Sequence, residues 1–207
     1  MAQFNSPVFG KISGKHGTAV AAVRKDGTCI LKVYRVASNP NTQGQKNQRG
    51  KFGFVMKELN CFRKLFTVTF GGQYGINKAV SLAMKNAVKG EFPDFEMDFS
   101  LLQLAVGNLA IPATQSLQKQ ADKVFKLMWS YNEELLENPA DELSILVFNN
   151  TLKQIIHLQN NALRVSRVVE FSLPDSWLSS DIHAWLYFSS ANNNTFSNSK
   201  YFLIKLK

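Results

Sequence analysis

The stretch from Asn39 to Phe66 constrains the chain most, because it carries a turn, a helix start and an apolar helix face in succession. Pro40 fixes its own φ and keeps Asn39 out of the helical region, so the backbone is extended there. Thr42 is then placed as an N-cap, and Gln45, three residues on, completes a capping box. Phe52, Val55, Met56, Leu59, Phe62 and Phe66 recur at three- and four-residue steps, which predicts one buried face of a helix near residues 42–66. Gly44, Gly50 and Gly53 each weaken a helix interior by up to about 1 kcal/mol against Ala. They imply close backbone packing, or a helix that is firm only from Phe52 onward.

Charge divides the chain unevenly. Residues 1–93 hold 15 Lys and Arg against 3 Asp and Glu, a balance of +12; residues 94–207 hold 9 against 12, a balance of −3. A basic half suits a nucleic acid or other polyanion, or a complementary protein surface on the same chain or another copy. Lys46, Arg49, Lys51, Lys57, Arg63 and Lys64 are the candidate anion-binding set, five of them mostly off the apolar face. No RRM, helix-turn-helix or zinc-finger pattern accompanies them.

A chain of 207 residues allows one large domain or two small ones. The change in charge and the Phe92-Pro93-Asp94 break predict a basic α+β module over 1–93 and a β-sandwich over 94–207. No run of about 18 apolar residues exists, so no transmembrane helix is expected. The N-terminus lacks an apolar h-region, which favours a cytoplasmic location. Cys29 and Cys61 are too few for a disulfide framework and are expected as small buried side chains.

Residues 7–36 read as β structure, with Thr18–Val23 and Thr28–Val36 joined by an Asp26-Gly27 turn. Thr67–Phe70 reads as extended. Asn77 is expected to cap a second helix near 77–89, its stripe formed by Ala79, Val80, Ala83, Met84, Ala87 and Val88, with Gly90 as the C′ glycine. Beyond Asp94 the sequence predicts strands at Ser100–Val106, Lys123–Tyr131, Glu142–Asn149, Gln154–Gln159, Arg167–Leu173, His183–Ser189 and Lys200–Lys205. Short strands at such spacing argue for an antiparallel, immunoglobulin-like sandwich without its pinning disulfide. In the sixth, Ile182, Ala184, Leu186 and Phe188 alternate with His183, Trp185 and Tyr187, giving an apolar and an amphipathic face. The expected fold class is therefore α+β.

Catalytic signals are sparse. His16, His157 and His183 make no metal spacing with one another or with the cysteines. No nucleophile elbow, Walker loop or dinucleotide fingerprint is present. Glu133, Glu134, Glu137, Asp141 and Glu142 form an acidic cluster that lacks EF-hand spacing and reads as a solvated loop. Asn192–Asn198 reads as a polar hairpin tip. No cofactor, metal or catalytic role is expected. The partner is expected to be protein, self or other, with polyanion binding by the first half or glycan binding by the sandwich as alternatives.

The residues Asn39, Pro40, Thr42, Gln45, Gln48, Arg49 and Phe52 also form an N-P-x-T-x-x-Q-x-x-Q-R-x-x-F signature. With the glycine-punctuated start from Gly10 to Gly17, it resembles an uncharacterised family common in Bacteroidetes. Leu173–Trp177, the strand around Trp185 and Ser197–Tyr201 are similar to features of that family. The chain departs from it at Ala21–Lys25, where relatives carry a Trp-Lys-Gly segment. The resemblance implies an immunoglobulin-like C-terminal region and no established activity; the roles of Asn39, Pro40, Thr42 and Gln45 as turn and cap make the signature structural.

Overall fold

The computed structural model describes residues 2–3, 10, 12–36, 38–121, 123–132, 138–177, 181–192 and 195–204. They form two compact units, Met1–Thr42 and Gln43–Lys207. The division expected at residue 93 lies in the turn of a hairpin inside the second unit.

The first unit is an antiparallel sheet of β1 (Ala2–Gln3), β2 (Gly14–His16), β3 (Ala19–Val23) and β4 (Cys29–Val33), in the order β1-β4-β3-β2. Asp26-Gly27 does turn the chain, but inside a longer loop. Arg24 N–H donates to Thr28 O at 2.9 Å, and Gly27 takes φ 83°. Thr28 N–H donates to Asp26 Oδ1 at 2.9 Å, and this bond holds the Asp26 carboxyl below its ordinary range. Ala21, Cys29 and Ile30 are buried.

The second unit begins with α1 (Gln43–Leu59), so Thr42 immediately precedes the helix as expected. The helix does not run unbroken to residue 66. A 3-10 turn at Asn60–Phe62 interrupts it, and α2 (Arg63–Thr69) follows. Thr67–Thr69 is therefore helical, not extended. Thr69 Oγ1 donates to Leu65 O (3.2 Å) and to Leu104 O (2.7 Å), so tertiary contact overrides a weak local preference. Val55, Leu59, Phe62 and Phe66 are buried, but Phe52 is 49% exposed. Cys61, on the 3-10 turn, is exposed as well.

Helix α3 (Gly75–Asn86) starts two residues earlier than expected, and Tyr74 rather than Asn77 occupies the N-cap position. It also ends earlier. Lys89 and Gly90 belong to β5 (Val88–Glu91), which pairs with β6 (Asp94–Met97) around a cis Phe92–Pro93 bond. Gly90 has φ 80°, and a Cβ there would stand 2.3 Å from Asp94 O, so its role is in the hairpin.

Ser100–Val106 is not a strand. Asp98 Oδ1 accepts from Ser100 N–H and from its hydroxyl, and Phe99–Leu101 is a 3-10 turn. The remaining strands are β7 (Gln115–Ala121), β8 (Val124–Trp129), β9 (Glu142–Asn149), β10 (Gln154–Leu163), β11 (Val168–Ser172), β12 (Ile182–Ser189) and β13 (Lys200–Ile204). They make two antiparallel sheets, β10-β9-β12-β13 and β11-β8-β7. Strand β7 was not expected. Among its described side chains, Leu117 is the apolar one that packs inward.

Strands β9 and β12, at the centre of the β10-β9-β12-β13 sheet, are buried on both faces. Leu143, Ile145, Val147, Ile182, Ala184, Leu186, Phe188 and Ile204 pack against Phe125, Leu127, Trp129 and Phe171 of the other sheet. Leu146, Phe148, Trp185 and Tyr187, which point the opposite way, pack against Val55, Leu59, Phe62, Phe66, Ala79, Val80 and Ala83 of the helices. Phe62 is the central contact, with ring centroids 5.0 Å from Phe148 and 6.0 Å from Trp185. Trp185 Nε1 donates to Leu102 O at 3.0 Å. The amphipathic face expected on β12 is thus the floor of a second core.

Candidate functional site

The richest polar constellation lies where β12 and β13 meet the Asp98–Ser100 turn. His183 is the first polar residue on the helix-facing side of β12 and sits opposite Leu203 of β13. Its Nδ1 is 2.9 Å from the Tyr201 hydroxyl. Its Nε2 is 2.9 Å from Asp181 Oδ1, an ion-pair distance. The imidazole lies 4.5 Å from the Phe99 ring centroid. Burial lowers the His183 pKa against the opposing pull of Asp181, so the ring is neutral at pH 7. Burial and the carboxylates of Asp98 and Asp181 raise the Tyr201 pKa.

Charged groups close the ends of this cluster. Lys89 Nζ pairs with Asp98 Oδ2 at 2.5 Å, and this bond, with that from Ser100, lowers the Asp98 pKa. Asn150 Nδ2 donates to Asp181 Oδ2 at 2.6 Å. Lys153 Nζ donates to Asn150 Oδ1 (2.9 Å) and to Glu58 Oε2 (2.7 Å). The cleft lined by Lys89, Asp98, Asn150, Asp181, His183 and Tyr201 holds about 350 Å³. A neutral imidazole between a phenol and a carboxylate can pass a proton, but a phenol with a raised pKa is not an activated nucleophile.

On the other side of Tyr201 runs a larger groove of about 760 Å³. Its walls are Lys85 and Asn86 at the end of α3, Ser100–Gln103, and Ser199–Tyr201 at the start of β13. Leu101 is 49% exposed beside it. Among the described residues, no strand pairs with β13 on the side away from β12.

The signature residues fall as follows. Asn39, Pro40 and Thr42 precede α1; Gln45, Gln48, Arg49 and Phe52 lie on it. Of the basic set, Lys46, Arg49, Lys51 and Lys57 lie on α1, and Arg63 and Lys64 on α2. Lys46, Arg49 and Lys57 share one exposed side of α1, opposite buried Val55; Lys51 is half-buried and off that row. Glu133, Glu134 and Glu137 lie outside the described residues, as do Asn193 and Asn194. Asp141 is not on a solvated loop: it is buried and bonded to Arg164.

In the sequence His183 reads as an ordinary strand residue, and Asp98, Asp181 and Tyr201 carry no signal that marks them as site residues. The available signal was its place on the amphipathic face of β12, beside Trp185 and Tyr187. Nothing local announces that residues 98, 150, 181 and 201 converge on it. Among the described residues, no group of three or more His, Cys, Asp or Glu is arranged to hold a metal ion, and no helix is long and apolar enough to cross a membrane.

These features define a mixed α+β protein, with helices on one face of a central antiparallel sheet and a second sheet on the other. Residues 11–203 match the model of a family of unknown function (DUF6266), and the chain belongs to that family. None of the curated proteins compared with it matches.

Proposed function

We propose that the chain is a non-catalytic protein-interaction protein, built on an immunoglobulin-like sandwich and binding its partner along the outer edge of β13. The observation that carries this reading is the edge itself: among the described residues no strand pairs with it, and the 760 Å³ groove runs beside it. An unpaired strand edge presents backbone donors and acceptors to any extended chain. The immunoglobulin-like assignment is supported by connectivity. Of the seven strands β7 to β13, the first, second and fifth form one sheet and the fourth, third, sixth and seventh the other. The test is site-specific photo-crosslinking in the producing cells, with a benzophenone side chain at Leu203 and a control at Ser116 on the outer sheet. Adducts of defined mass from position 203 alone support the reading; equal adducts from both positions, or none from 203, refute it.

A second reading, polyanion binding, is favoured by the row of Lys46, Arg49 and Lys57. Binding to DNA, RNA or heparin with a steep salt slope, flattened by Ala at those three positions, would support it. No binding at low salt would remove it.

A further inference from the structure

We infer that the groove beside β13 takes an extended acidic segment of another protein, which adds to the sheet as a strand. This rests on the edge reading above and names the chemistry of its partner.

The edge already accepts extended backbone. Ser199 N–H points away from β12 and donates to Ala105 O at 3.0 Å. Leu109 N–H donates to Phe196 O at 3.1 Å, and Leu104 N–H to Ser199 Oγ at 2.9 Å. Residues 104–109 thus cover the edge as far as Ser199 and then leave it. Backbone direction alternates along a strand, so the N–H and C=O groups of Tyr201 and Leu203 continue on that same outer side. A segment laid there continues the pairing that 104–109 begins.

The walls state the charge of the occupant. Among the described residues, Lys85 and Lys200 line the groove and no carboxylate does. Lys85 lies in the last turn of α3 and is exposed. Leu101 and Leu203, each 49% exposed, offer apolar contact to side chains of alternate residues. A second copy pairing through its own β13 edge is a poor occupant, because it would bring Lys85 and Lys200 towards the same two lysines.

The experiment titrates the intact, isotope-labelled protein with three blocked ten-residue peptides: alternating Val and Glu, alternating Val and Lys, and the Glu peptide with Pro at every third position. Amide exchange and chemical shifts of Tyr201 and Leu203 are followed. The Glu peptide is expected to bind, to slow exchange at both amides, and to lose about tenfold or more in affinity in the Lys85→Glu, Lys200→Glu variant. Reversal at Lys46, Arg49 and Lys57 is expected to cost less. The Pro peptide is expected not to protect the edge.

If the Lys peptide protects the edge as well as the Glu peptide, the acidic assignment fails while the edge reading stands. If the Glu peptide binds without protection at Tyr201 and Leu203, or reversal on α1 weakens it equally, the edge reading fails too. Concentration-dependent protection without peptide would mean self-pairing and would also overturn the inference.

Discussion

Arg164 and Asp141 form an ion pair withdrawn from water, with Nη2 3.1 Å from Oδ2 and both side chains buried. The guanidinium lies 4.3 Å over the Phe188 ring, and Nη2 also donates to Ala110 O at 2.8 Å. The backbones join as well: Arg164 N–H donates to Asp141 O, and Trp129 Nε1 to Arg164 O, each at 2.7 Å. These bonds tie together four segments, those of Ala110, Trp129, Asp141 and Arg164. Removing one partner of a buried pair leaves an uncompensated charge, which costs about 3–5 kcal/mol. Arg164→Met or Asp141→Leu alone is expected to destabilise by that amount in urea unfolding. The double variant is expected to lose less than the sum of the two, and strict additivity would contradict the coupling.

Phe62 joins the helical layer to the central sheet through Phe148 and Trp185. Phe62→Ala removes a fully buried ring, for which about 3–5 kcal/mol is expected. Tryptophan fluorescence during denaturation checks it; a loss under 1 kcal/mol, on the scale of a surface substitution, would show that the layers do not depend on this contact.

Two helical glycines are expected to respond in opposite directions. At Gly53, no other described residue stands within 4 Å of an added Cβ, so Gly53→Ala should stabilise by up to about 1 kcal/mol. At Gly75 the same atom would stand 2.0 Å from Phe66 O, a backbone atom. Gly75→Ala should therefore destabilise by about 1–3 kcal/mol. Paired thermal melts decide both.

Stability should fall in mild acid, and His183 should account for part of the loss. Its folded pKa is lowered by burial, so the unfolded chain binds the proton more readily. Stability attributable to the neutral ring is present above the ordinary value near 6.5 and is lost as pH falls through the folded value. His157, also lowered by burial, acts in the same sense. Asp98, lowered by Lys89 and Ser100, adds a separate loss below its ordinary 3.8. Urea unfolding at pH 7.5 and 5.5 should show a smaller drop for His183→Gln than for the wild type. An equal drop would mean that His183 does not contribute.

Much of the local structure was legible in the sequence because its causes are local. Thr42 precedes α1 and the Val55-Leu59 steps are buried, since a helix face repeats every three or four residues. Six of the seven sandwich strands were legible from their apolar runs. Strand β7 was not, because an edge strand with Leu117 as its inward apolar contact leaves almost no pattern. The Asp98–Ser100 turn displaced an expected strand because a carboxylate two residues away competed for the same N–H.

The candidate site was illegible for a different reason. His183, Tyr201, Asp181 and Asp98 meet only once β12 and β13 pair in register and the 98–101 turn packs against them. Sequence spacing carries no trace of such a meeting.

By itself, then, the sequence determined an extended entry at Pro40, an amphipathic helix after it, a glycine turn at Gly27 and a run of short strands. Each follows from sterics and hydrogen bonds within a few residues. The tertiary structure alone decided that α1 breaks at Asn60–Phe62, that Phe52 faces water, that β12 is buried on both faces, and that Arg164 lies in a core. Those outcomes depend on which distant surfaces exclude water from one another, and that is settled only when the layers pack.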